Sequence, residues 1–150
     1  MKIFCDTNIL MEYFQQREKV HEVERVLKYA EENGHLLFIS IGSFYTITYL
    51  IERYLKEEKL EKEERIEKLR RILRGIFDLF QFTLQSPASI EDGVNDGFFS
   101  DLEDSYQAHA ALEEGCDVLV TINTKHFSMF SENNTLEILD PQGFIDKFQV

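Results

Sequence analysis

Apolar runs of strand length alternate with long helical stripes along this chain, and the gaps between successive runs are too wide for hairpins. Lys2 to Cys5 reads as a strand, and Thr7 to Phe14 as a short helix. Val20 to Asn33 is an amphipathic helix that turns Val20, Val23, Val26, Leu27 and Ala30 to one side and stops at Gly34. Leu36 to Ile39 is the next strand. Ser40 is placed to cap a helix over Ile41 to Leu55, and Lys62 to Phe80 carries Ile66, Leu69, Leu73, Ile76 and Phe80 on one face. Ser86-Pro87 breaks the pattern, followed by a short helix over Ala88 to Asn95 and a turn at Asp96-Gly97. Leu102 to Glu114 is a further helix ending at Gly115, Asp117 to Thr121 and Leu136 to Leu139 are strands, and Pro141 opens a closing helix. Strands joined through helices pair in parallel, so the expected fold is a three-layer α/β/α sandwich around a mainly parallel sheet. With 150 residues, 43% of them hydrophobic, residues 1–150 are expected to form one domain.

Charge is distributed unevenly. Residues 1–75 hold 14 basic and 14 acidic side chains, whereas residues 76–150 hold 2 and 14, so the net charge of −12 belongs to the second half. Such a surface repels nucleic acid at long range, and a nucleic-acid substrate would need local basic contacts and cations to approach. The same charge favours a basic protein partner. No apolar stretch nears the roughly 20 residues that span a bilayer, and no leader pattern is visible, so a cytoplasmic location without membrane contact is expected. Cys5 and Cys116 lack metal-ligand spacing and are read as buried, reduced thiols.

From Arg53 to Arg74 a basic residue recurs at every third position, which spirals around a helix rather than lining one face. Glutamates precede five of these by four residues (Glu52–Lys56, Glu58–Lys62, Glu61–Arg65, Glu64–Lys68, Glu67–Arg71), the favourable order for exposed ion pairs, so the arm reads as solvated and self-paired.

The carboxylates at strand ends and helix starts are the candidate chemistry. Asp6 ends the first strand, where it is either an N-cap for Thr7 onward or a ligand, and Asn8 is a second candidate cap. Ser100 and Glu103 have the spacing of a capping box, which would account for Glu103 structurally. Asp101 and Asp104 share one face of a first helical turn, where they repel one another unless a cation lies between them. The four histidines are scattered, with no nucleophile elbow near them, and the glycines form no phosphate loop. His126 is either a rim contact for substrate or a loop histidine.

Asp6-Thr7-Asn8-Ile9-Leu10, the run from Asp104 to Asp117, and Val120 to Phe127 resemble the three signature blocks of PIN domains, in order and over nearly the whole chain. The similarity is to single-domain bacterial PIN proteins, best known as toxins of VapBC-type toxin–antitoxin pairs. It implies a Mg²⁺- or Mn²⁺-dependent ribonuclease, with an antitoxin partner and a homodimeric assembly. Carried over by position, Asp6, Asp104 and Asp101 would be metal ligands, Asn123 would join them in catalysis, and Asn8 and Thr121 would orient ligands and water. Where the family usually has a glutamate, this chain has Thr46, a neutral hydroxyl that can bind a coordinated water but cannot replace a hard anionic ligand, so weakened metal affinity is expected. Glu52 cannot substitute, since six residues rotate about 240° around a helix. Two other readings stay open: a PIN module of reduced or no activity that binds protein or RNA, and a phosphatase-like enzyme with Asp6 as nucleophile, which lacks a second aspartate at Asn8.

Overall fold

The computed structural model describes residues 1–128, 130 and 134–150. Its central strand is β1 (Lys2–Cys5), flanked on one side by β2 (Leu36–Ser40) and β3 (Gln81–Thr83), and on the other by β4 (Val118–Val120) and β5 (Glu137–Leu139). Every pairing is parallel, with Ile3 opposite Leu37 in one neighbour and Val118 in the other. The chain builds outward from β1 to β3, then crosses back to lay β4 on the far side of β1. That reversal puts the topological switch point between β1 and β4, and the crevice beyond their carboxyl ends is where an open parallel sheet gathers ligands.

Alternation along the strands divides the core into two faces. Ile3, Cys5, Leu37, Ile39, Val118 and Val120 pack toward α1 (Thr7–Phe14), α2 (Val20–Glu32), α3 (Ile41–Glu57), α4 (Lys62–Leu79) and α7 (Pro141–Phe148). On the opposite face Phe4, Phe38 and Leu119 meet α6 (Leu102–Glu114), whose Ala108, Ala110 and Ala111 are small enough to let the helix settle beside bulky strand side chains. Helices thus cover both faces, as the three-layer sandwich requires. Cys5 and Cys116 are free, buried thiols, and burial pushes the Cys116 pKa up to about 12, which leaves it unreactive.

The expected elements recur within one or two residues, with local differences. β3 was not expected. Phe80 and Phe82 extend the apolar stripe of the preceding helix in sequence, yet Phe80 is already extended at φ −121° and ψ 144°, and Gln81–Thr83 pairs with Phe38 to Ser40. Ser40 caps α3 by accepting from the Ser43 N–H at 2.9 Å. Ser86 likewise caps α5 (Pro87–Asn95). Of the five anticipated ion pairs in the basic arm, Glu52–Lys56 forms at 3.4 Å, whereas Lys68 reaches Glu58 at 2.7 Å across the α3–α4 turn. Exposed pairs worth a few tenths of a kcal/mol do not fix rotamers against such competition.

Helices α5 and α6 cross at Gly93. The Ser105 hydroxyl donates to the Gly93 carbonyl at 2.8 Å, and a Cβ at Gly93 would lie 2.8 Å from Cδ1 of the Tyr106 ring. Gly93→Ala is therefore expected to cost about 1–3 kcal/mol, the usual range for overpacking, read as a lower urea midpoint at unchanged slope.

Candidate active site

Each side of the switch point delivers polar side chains into one crevice. β1 ends at Cys5, and the Asp6 N–H continues the ladder by donating to the Val120 carbonyl at 3.0 Å. The chain then turns into α1 with Asp6 in the N-cap position, but its carboxylate makes no capping hydrogen bond. Instead Asp6 Oδ2 accepts from the Thr121 hydroxyl at 2.6 Å and from the Asn8 amide at 3.4 Å, while Oδ1 is buried without any hydrogen-bond partner. Thr121 is fully buried and also accepts from the Asn123 N–H at 3.0 Å, so one hydroxyl couples the end of β4 to the end of β1.

From the other side, Asp101 caps α6, its Oδ1 accepting from the Glu103 N–H at 2.8 Å and, more loosely, the Asp104 N–H at 3.5 Å. This corrects the capping box: Asp101 takes the role assigned to Ser100, and Glu103 accepts instead from the Thr7 hydroxyl at 3.2 Å. Asp104 sits one turn in, with Oδ2 hydrogen-bonded to Nδ1 of His126 at 2.8 Å. Asp6, Asn8, Thr46, Asp101, Asp104 and Asn123 line a single cavity of 170 Å³, together with His126 at its edge. Thr121 stands behind it, holding Asp6. Every residue singled out from the sequence is therefore in or directly against this crevice, including Thr46, which contributes a hydroxyl where a carboxylate would add charge.

Gln107 escaped the sequence reading, and Glu103 was read there only as part of a capping box. Gln107, buried, accepts from the Thr7 N–H at 3.0 Å and from the Ser43 hydroxyl at 3.2 Å, tying α6 to both α1 and α3 at the crevice. Glu103 lines the cavity as well. The available signal was the spacing of Asp104 and Gln107, one turn apart on an α6 face otherwise made of alanine.

The electrostatics are those of an anionic pocket short of cations. Burial pushes the Asp6 carboxyl above its ordinary range, against the opposing hydrogen bond from Thr121. Burial also raises Asp104, the His126 hydrogen bond opposes it, and the neighbouring charges of Asp6 and Asp101 raise it further. Among the described residues no group of three or more His, Cys, Asp or Glu side chains is drawn together tightly enough to hold a metal ion by itself. The donor set fits a more open arrangement: the free Oδ1 of Asp6 and the outer oxygen of Asp104 are hard, anionic donors, and Mg²⁺ commonly binds through one or two carboxylates while retaining several waters.

The fold and site are those of an open parallel α/β domain with carboxylates gathered at its switch point, and comparison narrows that class. The PIN domain family matches residues 2–125, and the chain belongs to that family. Among solved structures it is similar to VapBC2 from Rickettsia felis, bound to a DNA fragment from its promoter, with a TM-score of 0.61 and 18% identity over 93% of this chain and 98% of that one. It is also similar to FitAB bound to an IR36 DNA fragment, with a TM-score of 0.62 and 16% identity over 93% of this chain and 94% of that one. At such identities the likeness is one of fold. No curated protein matches the chain. PIN domains are generally nucleases, and those nucleases typically use divalent metals. No helix among the described residues is long and apolar enough to cross a membrane.

Proposed function

We propose that this protein is a Mg²⁺- or Mn²⁺-dependent ribonuclease of one domain, acting in the cytoplasm as the toxin of a toxin–antitoxin pair. The observation that carries the reading is Asp6: a buried carboxylate at a helix start that makes no side-chain capping bond and keeps one oxygen without a hydrogen-bond partner, in a residue that lines the same crevice as Asp104. An unpartnered buried carboxylate oxygen is costly, and a divalent cation is the ligand that offsets the cost. When bound, such an ion polarises the scissile phosphate and activates water for in-line attack.

The chain's own groups have distinct tasks. Thr121 and Asn8 fix the Asp6 rotamer, Asp101 holds the first turn of α6 so that Asp104 faces the crevice, and His126 orients Asp104 from its far side. Asn123 and Thr46 offer neutral polar groups for water or substrate oxygens. The antitoxin and the homodimer rest on the family, whose structural neighbours here were solved as VapBC2 and FitAB assemblies on DNA. Incubating the purified protein with RNA and Mn²⁺, with and without EDTA, tests the activity. Absence of cleavage with any divalent ion would overturn it.

The rival reading, a binding module of reduced activity, is favoured by one observation, the neutral Thr46 in the crevice. Thr46→Glu separates the two. In an enzyme limited by weak metal binding, the added carboxylate is expected to tighten Mn²⁺ affinity about 10–100-fold by calorimetry and to raise cleavage at low metal. An unchanged affinity would favour the binding module.

A further inference from the structure

Beside the acidic crevice lies a larger cavity of 520 Å³, and Thr46, Glu103 and Gln107 line both. Its volume falls within the roughly 300–1,000 Å³ of small-ligand sites. The lining is mostly apolar, with Ile41, Tyr45, Ile90 and Tyr106, of which Tyr45 is 69% exposed. Tyr106 is held in place against Gly93.

Two carbonyl or carboxylate acceptors are left over in this cavity, beside the Tyr45, Thr46 and Tyr106 hydroxyls, which donate as well as accept. The Ser40 and Ser43 hydroxyls are spent on each other, on the α3 cap and on Gln107. Gln85 uses its amide nitrogen on Ser89 and the Tyr106 carbonyl, both at 3.1 Å, which leaves its carbonyl oxygen free. Glu103 holds the Thr7 hydroxyl with Oε1, which leaves Oε2 free. An occupant that is flat and apolar on its faces and presents N–H donors at its edge matches the Gln85 and Glu103 acceptors. Past the acidic crevice in the other direction, Leu50 leads into a notch that carries Arg17 and Arg53. Neither guanidinium has a carboxylate partner among the described residues, although Glu57 lines the same notch. From Tyr45 to Arg53 is eight residues of α3, about 12 Å along the helix. Cationic groups on one side and an apolar aromatic cavity on the other are complementary to a phosphodiester strand with a splayed base, and not to an apolar peptide.

We propose that the larger cavity receives one unpaired base of an RNA strand laid along α3, with guanine preferred because its adjacent ring N–H and amino group pair with the Glu103 carboxylate. Uracil offers a single N–H between two carbonyls and is disfavoured against the Glu103 carboxylate. The assignment rests on the nuclease reading for its substrate, but its test does not.

Guanosine and uridine, which carry no phosphate, are titrated into the ¹⁵N-labelled full chain without divalent ions. The expected result is shifts at Ser40, Tyr45, Gln85 and Tyr106 with guanosine, and about tenfold weaker binding of uridine. Tyr45→Ala, at an exposed position, is expected to weaken guanosine about tenfold. Glu103→Gln is expected to erase the preference between the two nucleosides while the protein still melts cooperatively. Equal binding of the two nucleosides, guanosine shifts elsewhere or absent, or shifts that follow protein concentration and so mark a second copy in the cavity, would each overturn the assignment. Mn²⁺-dependent RNA cleavage without guanosine binding sinks the base pocket alone. Guanosine binding at these residues without any cleavage sinks the nuclease reading and leaves the pocket standing.

Discussion

Asp6→Asn and Asp104→Asn are each expected to reduce Mn²⁺-dependent RNA cleavage by at least about 10²–10³-fold, the range for removing one charge-stabilising group from an active site. The substitutions preserve shape and remove charge. In Asp6→Asn the side-chain carbonyl can still accept the Thr121 hydroxyl that now bonds Oδ2 at 2.6 Å, so the junction of β1 and β4 has no reason to move. What disappears is the anionic charge on the buried oxygen that has no hydrogen-bond partner. In Asp104→Asn the bond to His126 Nδ1 can persist, and again only the charge on the outer oxygen is lost. Initial rates on a labelled RNA, with circular dichroism to verify the fold, check both. Cleavage that survives in both variants would mean that the carboxylates serve only the architecture, and the binding-module reading would take over.

How much of this was legible in the sequence follows from where each determinant lies. The β1–α1 junction was readable because a short apolar run ends on Asp6 and the next eight residues have helical spacing, all of it local. The end of α6 was equally local: Gly115 adopts φ 71°, a conformation that costs glycine nothing. The first turn of α6 was misread because Ser100 and Asp101 are both good caps, and shifting the boundary by one residue changes which side chain closes the helix. That shift releases Glu103 to face the crevice. Its partner Thr7 is 96 positions away, and the Thr7–Gln107 bond spans 100, so no window along the chain reveals either contact. Whether Asp6 was a cap or a ligand candidate was likewise undecidable locally. The fold adds a contact that no local window holds, Thr121 brought up from β4 to donate to one carboxylate oxygen of Asp6.

The second large effect is on stability, and its sign is opposite to that of most buried-site substitutions. Asp6 has its folded-state pKa raised by burial, so the native state binds its proton more tightly than the unfolded chain does. Stability is therefore lost as pH rises from the unfolded carboxylate value, about 3.9, through the higher folded value. Asp6→Asn removes a carboxyl group whose ionisation burial opposes, so the variant is expected to melt above the wild type at pH 7. The difference should vanish below the ordinary carboxylate range, where both side chains are neutral. Asp104 carries the same sign, opposed by its bond to His126. Mn²⁺ is expected to reverse the order, because an ion that binds only the folded wild type adds about 2.7 kcal/mol at 100 times its dissociation constant. For a chain of this length that is a rise of roughly 5–10 °C in Tm, and Asp6→Asn should show little of it. Differential scanning fluorimetry of both proteins at about pH 3 and at pH 7, with and without Mn²⁺, reads all of these at once. A wild type that melts above the variant at pH 7 without metal, and that ignores Mn²⁺, would show that the fold satisfies Asp6 unaided and that the crevice has no use for a cation.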